Sequence, residues 1–587
     1  MSQSSTLEIA AYLAARAYSD AHFDAGGNLA EIARLNELNA SWAPIGTPAQ
    51  VRATLNLPPS FDVFDLNGHL TRVEMENASA TFGLMIVGGE KTLGVSFEGT
   101  NFGTEVEDLW DDIVNIDSHS RKLTELMAGL DIYASNSDNG IQKVLFSGHS
   151  LGGSVAQYYM GQYADDYRYM GVTFGTPGTT NAPVHGADRI WNFAHTVDPV
   201  PPAGVARQYV ISGYKIHLDQ IWGNADDLSP LAEHLMFSST SQPSYVRSIE
   251  IISKVYVDVS EFGNEHFTVG SDQNDAIQNS YLSSSSFTGK LSLAAFGAGG
   301  NDRIGEHSAT SNDNEDNVLV GGLGNDILFI DNIDDVIFEQ PNEGSDTVVT
   351  YISRNVYLEP NIEVLRMALD SALWNFDENI SGWGNEFKNK IIGNNANNTL
   401  RGFGDSDTID GLKGQDHLYG GAEDDFLMVI DGNDKLYGGA GDDSYTVSRV
   451  NPNPVDNPFS VPTYIIDDES GNRDSLTLID VSGKAHFDNF ATDLRFMREG
   501  NSLFIDFDVT PEFGLVNDND GRVEIVNMAD TEHRIETLYV DFDGQPGVDH
   551  IVSLPSIWLA LSYILEGRET RLQLADGVFS SYGQLVM

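Results

Sequence analysis

The sequence contains no cysteine, and only 32 of its 587 residues are lysine or arginine, against 87 aspartates and glutamates. The first absence removes disulfides, thiolate metal sites and cysteine nucleophiles together. The second leaves a formal net charge of −55 and excludes a nucleic-acid binder, because neutralising phosphates requires a basic surface and no Lys/Arg-rich stripe occurs. Charge-driven adsorption to an anionic membrane surface is disfavoured for the same reason. Proline is also scarce, at 20 residues, so the 57 glycines are not part of a Pro/Gly low-complexity composition. No uninterrupted apolar run reaches the ~18 residues that a membrane-spanning helix needs. Met1 to Asp20 lacks a basic opening, and its apolar residues Leu7, Ile9, Ala10, Leu13, Ala14 and Tyr18 recur at helical spacing, which does not describe a Sec signal peptide.

What is present is enough to fold. Hydrophobic residues make up 41% of the chain and aromatics 10%, which can bury more than one core despite the charge. The acidity is uneven: residues 1–250 hold 29 acidic and 13 basic side chains, net −16, and residues 251–587 hold 58 and 19, net −39. We therefore expect an N-terminal domain over 1–250, a distinct acidic region over 251–450 and a further β-rich region over 451–587.

In the first part, short apolar runs predict strands at Gly83 to Val87, Thr92 to Phe97, Lys143 to Ser147, Gly171 to Phe174 and Arg189 to Phe193, with a helix over Leu151 to Tyr163. Alternating strands and helices argue for a mostly parallel sheet flanked by helices. Between Ile249 and Val259 the apolar residues alternate with period two, which reads as the boundary or as the first strand of the next region.

Gly148-His149-Ser150-Leu151-Gly152 is a G-x-S-x-G sequence. Alone it is weak in a chain rich in Gly and Ser. Its setting between a predicted strand and a predicted helix is the one a nucleophile elbow requires. The glycines let a sharp turn push Ser150 into a strained conformation, and the turn aims the Leu151 N–H at the place where an oxyanion would form. An acid and a base are then expected downstream, in that order. Asp198 lies just past the Arg189 to Phe193 strand, where reactive side chains of an open α/β sheet belong. Three histidines compete for the base. His195 is three residues from Asp198 and has little reach; His217 lies in an irregular segment; His234 has the right order and separation, with His217 next.

Together Phe97-Glu98-Gly99-Thr100, the elbow, Thr173 to Gly178, Asp198-Pro199-Val200-Pro201 and His234 resemble the class 3 lipase signature of the α/β-hydrolase fold, over roughly residues 80–240. The resemblance implies a Ser150-Asp198-His234 triad, an oxyanion hole from the N–H groups of Thr100 and Leu151, a lid over Asn101 to Asp117, and a lipid or ester substrate met at an interface. Glu98 stands where that family usually carries a basic residue, so an ion pair formed there is absent or reversed. The insertion Ala203 to Pro230 has no counterpart in the pattern.

From about Val269 to Val447 the texture is Gly, Asn, Asp and isolated aliphatics. Asp407, Asp416, Asp425, Asp434 and Asp443 lie nine residues apart without a slip, each followed two residues later by Ile409, Leu418, Leu427, Leu436 or Tyr445. The same unit recurs around Asp326, near-matches surround Asp302, and Asp335 continues the register of Asp326. A turn of about six residues followed by a three-residue strand cannot fold alone, so units must stack, two to a coil of about 18 residues. Asp407, Asp425 and Asp443 would line one edge and Asp416 and Asp434 the other. Carboxylates that close repel unless a cation lies between them, and oxygen-only ligands select Ca²⁺. These repeats resemble the RTX calcium-binding nonapeptides, which implies a C-terminal all-β parallel β-roll, export by a type I secretion apparatus under an uncleaved C-terminal signal, and an extracellular location. The rival readings are a phospholipase A1 or carboxylesterase within the enzyme class, and a calcium-dependent adhesin with an inactive hydrolase domain outside it. A metalloprotease is disfavoured because no His-Glu-x-x-His sequence occurs.

Overall fold

The structure is a computed structural model. It describes residues 6–16, 40–98 apart from 67, 76–77 and 88, 116–179, 187–195, 211, 214–220, 245–253, 265–278 apart from 271–273, 293–306, 317–350 apart from 331–333, 356–367, 379–449 apart from 431, 463–480 apart from 472, 494–507, 521–541 apart from 532–533, 550–565 and 584–585. The chain divides into two compact units, one of residues 1–304 with 317–323 and one of 305–316 with 324–587.

The first unit is an α/β sheet. It opens with α1 (Thr6–Arg16) and α2 (Pro48–Thr54), then an antiparallel run of β1 (Asp62–Leu66), β2 (Leu70–Met75), β3 (Ala78–Val87) and β4 (Glu90–Phe97). After α3 (Ile116–Lys122) and α4 (Thr124–Ser135) the sheet becomes parallel. Strand β5 (Lys143–His149) pairs with β4, and β6 (Tyr169–Phe174), β7 (Ile190–His195), β8 (Tyr214–Gln220) and β9 (Glu265–Val269) follow in order, with α5 (Leu151–Gln162) between β5 and β6 and α6 (Tyr245–Ile252) before β9. The same parallel sheet runs on through strands 293–299 and 318–323. All five predicted strands and the helix at 151 are present, because continuous apolar runs bounded by turns fit a sheet covered on both faces.

Two local expectations fail. Residues 249–252 are helical, not a strand: Tyr245, Ser248, Ile249 and Ile252 are buried at helical spacing, and period-two alternation over a few residues cannot tell one face of a helix from a strand. His217 lies within β8, not in an irregular segment.

The core under the sheet is aromatic. Phe97 stacks on Tyr159 at 5.6 Å and meets Phe146 edge-on at 5.9 Å, and Tyr163 lies flat on Tyr169 at 4.6 Å. Helix α1, apolar from Ile9 to Ala15, is buried over almost all its surface, and the Ser147 hydroxyl on β5 donates to its Ala10 carbonyl at 2.7 Å.

The second unit is a β-roll. The chain passes alternately between two parallel sheets, so that one coil adds a strand to each. Strands 408–410, 426–430, 444–449, 475–480 and 537–541 stack in one sheet and 399–403, 417–422, 435–440, 463–467 and 521–525 in the other. Facing interior columns are Ile409, Leu427, Tyr445, Leu476 and Leu538 against Leu400, Leu418, Leu436 and Ile466, all fully buried. Ile409, Leu418, Leu427, Leu436 and Tyr445 among them are the residues that follow each periodic Asp, and neighbouring coils pair them directly. Beyond residue 463 the sheets continue and close with the antiparallel strands 494–499, 502–507 and 521–525, and the apolar stretch near 557 is a helix, Leu554–Leu565. No helix among the described residues is long and apolar enough to cross a membrane.

Candidate functional site

Two separate arrangements carry chemistry. The first is the turn between β5 and α5. Register pairs Phe97 of β4, Gly148 of β5, Thr173 of β6 and Asn192 of β7 across the carboxyl edge of the sheet, so the connections leaving β4, β5 and β7 start from one edge. Ser150 sits two residues beyond that row at φ 57°, ψ −128°, a conformation that L-residues other than glycine rarely adopt. Three contacts hold it there. Its N–H donates to the Phe174 carbonyl at 2.9 Å, and its own carbonyl accepts from Gly153 N–H at 3.0 Å and Ser154 N–H at 3.4 Å, which starts α5.

The glycines are sterically required. A Cβ on Gly148 would overlap the backbone of Gly152, and one on Gly152 would overlap the carbonyls of Phe97 and Glu98. Helix α5 therefore lies hard against the end of β4. Ser150 is fully buried, and its Oγ has no hydrogen-bond partner among the described residues. A buried hydroxyl without a partner costs free energy and is kept where it serves chemistry. The first N–H groups of a helix have no intrahelical acceptor, so Leu151, buried at the start of α5, presents its N–H beside Ser150.

Behind the elbow lies a polar network that the sequence did not signal. The Asn192 Oδ1 accepts from Thr173 Oγ1 at 2.7 Å and from Gln157 Nε2 at 2.5 Å, tying β6, β7 and α5 together in the buried interior. Ser154 and Thr176 share a hydrogen bond at 3.2 Å. Glu98, which follows β4, is buried and accepts from Arg72 Nη2 at 2.6 Å and from the Ser79 hydroxyl, while Arg72 Nε reaches Glu74 at 2.6 Å. The reversed ion pair is thus real in sense: the acid is at 98 and its cation comes from β2. His149 is buried, with its ring 5.6 Å from that of Tyr245 on α6. Strand β7 ends at His195, three residues before Asp198. Asp198, His234, Thr100 and most of the lid segment (101–115) lie outside the described residues.

The second arrangement is the edge of the roll. Each carboxylate spans two coils: the Asp407 N–H donates to Asp425 Oδ1 at 2.7 Å, Asp425 N–H to Asp443 Oδ1 at 2.8 Å, and Asp443 N–H to Asp474 Oδ1 at 2.7 Å. On the other edge Asn398 N–H donates to Asp416 Oδ1 and Asp416 N–H to Asp434 Oδ1, both at 2.7 Å. The two expected edges are therefore those found. Asp326 and Asp346 make the same bond at 2.8 Å, Asp346 N–H donates to Glu363, and Asp275 N–H donates to Asp302 Oδ1 at 2.8 Å within the first unit. Asp335 precedes the strand Val336–Phe338 and is half-buried. Asp474 and Glu363 escaped the periodic reading because insertions break the nine-residue spacing; the legible signal was only an acid two residues before an aliphatic, Leu476 or Leu365, that is buried.

One oxygen of each carboxylate is used by the ladder and the other is not. The Oδ2 atoms of Asp407, Asp416, Asp425, Asp443 and Asp474 are buried without a hydrogen-bond partner among the described residues. Glycines 402, 420 and 438 face the Oδ2 of Asp407, Asp425 and Asp443, and a Cβ on any of them would occupy the oxygen's place. Left without a cation, burial pushes Asp407 up to about 7 and Asp416 and Asp425 up to about 8, with Asp434 adding repulsion at Asp416 and Asp443 and Asp407 at Asp425. Orphaned buried oxygens beside glycine-exposed carbonyls form an all-oxygen donor set that fits Ca²⁺.

Residues 312–329, 383–418 and 419–448 match the RTX calcium-binding nonapeptide repeat, in four copies. These coils are calcium-binding repeats, and Asp407, Asp416, Asp425, Asp434 and Asp443 are their periodic acids. No curated protein matches the chain. Among solved structures, the chain is similar to the crystal structure of extracellular lipase LipA from Serratia marcescens at 15% identity, over 89% of this chain and 94% of that one, with a TM-score of 0.35.

Proposed function

We propose that the protein is a secreted, calcium-dependent serine hydrolase that cleaves carboxylic esters of lipids, triacylglycerol above all. The observation that carries this reading is Ser150: a buried serine at positive φ, at the head of a helix, on a turn whose positions 148 and 152 have room only for glycine. In the proposed reaction Ser150 Oγ attacks the ester carbonyl while His234 takes its proton, and Asp198 orients the imidazole and stabilises its charged form. The N–H groups of Leu151 and Thr100 bind the oxyanion. Collapse of the tetrahedral intermediate expels the alcohol, which receives the proton from His234, and water then releases the fatty acid by the same sequence in reverse.

The hydrolase lies within residues 1–250 on this reading, the calcium region within 251–450, and residues 451–587 carry the type I secretion signal. The calcium repeats support the extracellular location, since free calcium is abundant outside the cell and scarce within it. Ca²⁺ held by the roll would supply charge neutralisation between its coils and takes no part in the ester chemistry.

The test compares the wild type with Ser150→Ala on triolein, phosphatidylcholine and a short soluble ester, with and without a calcium chelator. We expect the variant to lose about 10⁴-fold or more of the activity on every substrate hydrolysed. Equal hydrolysis by both proteins would overturn the serine mechanism, and a preference for phosphatidylcholine over triolein would reassign the enzyme as a phospholipase.

A further inference from the structure

The last matched repeat ends at residue 448, and the strand that pairs with 435–440 on the far side is 463–467. Tyr437 pairs there with Asp467, so the next residue, Asp468, follows in the column that Gly402, Gly420 and Gly438 hold in the three preceding coils. In those coils nothing larger than glycine fits, because the Asp of the same coil already fills the space. At Asp468 the turn is one residue longer: the Asp443 of the preceding coil lies five residues after Gly438, and Asp474 lies six after Asp468. The turn stays bonded to its neighbour, with Ser470 N–H donating to the Gly439 carbonyl and Gly441 N–H to the Ser470 carbonyl, each at 3.0 Å. The added residue makes room for a side chain where the repeats have none.

The side chain placed there is a third acid. Oxygens of Asp443, Asp468 and Asp474 lie within 4.8 Å of one another, and all three residues are fully or almost fully buried. Asp443 Oδ1 and Asp474 Oδ1 are taken by backbone N–H groups, and their Oδ2 atoms have no hydrogen-bond partner among the described residues. Asp468 is oriented from the interior, its Oδ1 accepting from the Tyr445 hydroxyl at 2.7 Å. Tyr445 stands where the other repeats carry an aliphatic, so this rung has both a different interior residue and a different edge residue.

We propose that Asp443, Asp468 and Asp474 form a divalent-cation site that adds two acids from beyond the matched repeats to the last periodic one and takes calcium with three carboxylates, which converge in this way nowhere else among the described residues. Oxygens spaced this way can all reach one ion at the about 2.3–2.6 Å of calcium coordination. Ligand charge count raises calcium affinity, so this rung binds more tightly than the regular ones and fills first. The site does not depend on ester hydrolysis by Ser150, and its test reads calcium alone.

Full-length protein stripped of metal is titrated with calcium by equilibrium dialysis, alongside Asp468→Asn and Asp468→Gly, with far-UV circular dichroism in millimolar calcium to follow folding. The glycine variant restores the residue the column normally holds, so it folds even if the amide does not. We expect each folded variant to lose the tightest-bound ion or to bind it about tenfold or more weakly, with the other ions unchanged. A titration of the folded glycine variant superimposable on that of the wild type would overturn the proposal, as would an equal weakening of every ion.

Discussion

Ser150 is held at φ 57°, ψ −128° by hydrogen bonds from both flanks, and strain of that kind costs about 1–3 kcal/mol in a residue that has a Cβ. Ser150→Gly therefore gives a protein that is more stable by ~1 kcal/mol yet inactive, the glycine's extra chain entropy offsetting part of the relief. Urea unfolding in saturating calcium checks this, and a glycine variant no more stable than its parent would discredit the strain. A second residue-scale prediction concerns the acid at the end of β4. Removing the cation of a buried pair leaves an unpaired charge, so Arg72→Met costs about 3 kcal/mol. Adding Glu98→Gln to it recovers part of the loss, and a double variant as unstable as the single one would mean that the pair is not coupled. The elbow was legible because its chemistry is written in five adjacent residues. The Arg72–Glu98 pair was not: its partners are 26 residues apart and meet only because β2 and β4 flank β3 in the sheet.

At the scale of the coil, the dominant fact is a column of buried carboxylates with one oxygen each left over. In chelator, Asp407, Asp416 and Asp425 have folded pKa values of about 7 to 8, well above the ~3.9 of an unfolded Asp. The folded roll then holds protons that the unfolded chain releases. Its stabilisation by them is complete below about pH 4 and is lost as pH rises toward 8. The metal-free roll is thus more structured at pH 5 than at pH 8. Calcium needs the ionised form, so in its presence the trend reverses and affinity climbs through the same window. Far-UV circular dichroism at both pH values, with chelator and with calcium, reads both signs, and a metal-free roll whose strand signal grows with pH would contradict the burial argument.

For the whole molecule, the net charge of −55 and the two compact units set the expectation. Each bound Ca²⁺ cancels two charges, and binding to the folded state alone stabilises by about 2.7 kcal/mol per site at a hundredfold excess over Kd. Calorimetry should accordingly resolve one transition that climbs with calcium concentration, belonging to the roll, and one that shifts little, belonging to the α/β unit. A single transition with no dependence on calcium would rule this out.

The sequence by itself determined the elements whose contacts are local or strictly periodic: the β5–Ser150–α5 elbow, the sheet strands with continuous apolar runs, and the coils in which residue i meets residue i+18 at every step. Such contacts need no knowledge of the wider path of the chain, because neighbouring backbone atoms or a constant repeat dictate them. Only the tertiary structure decided that Arg72 meets Glu98, that Asn192 joins β7 to α5, that 249–252 is a helix, and that Asp474 and Asp468 rejoin the ladder after an interruption whose length is no multiple of nine. Those partners come together through strand order and across breaks in the nine-residue spacing, and a periodic pattern carries no record of where the next coil begins.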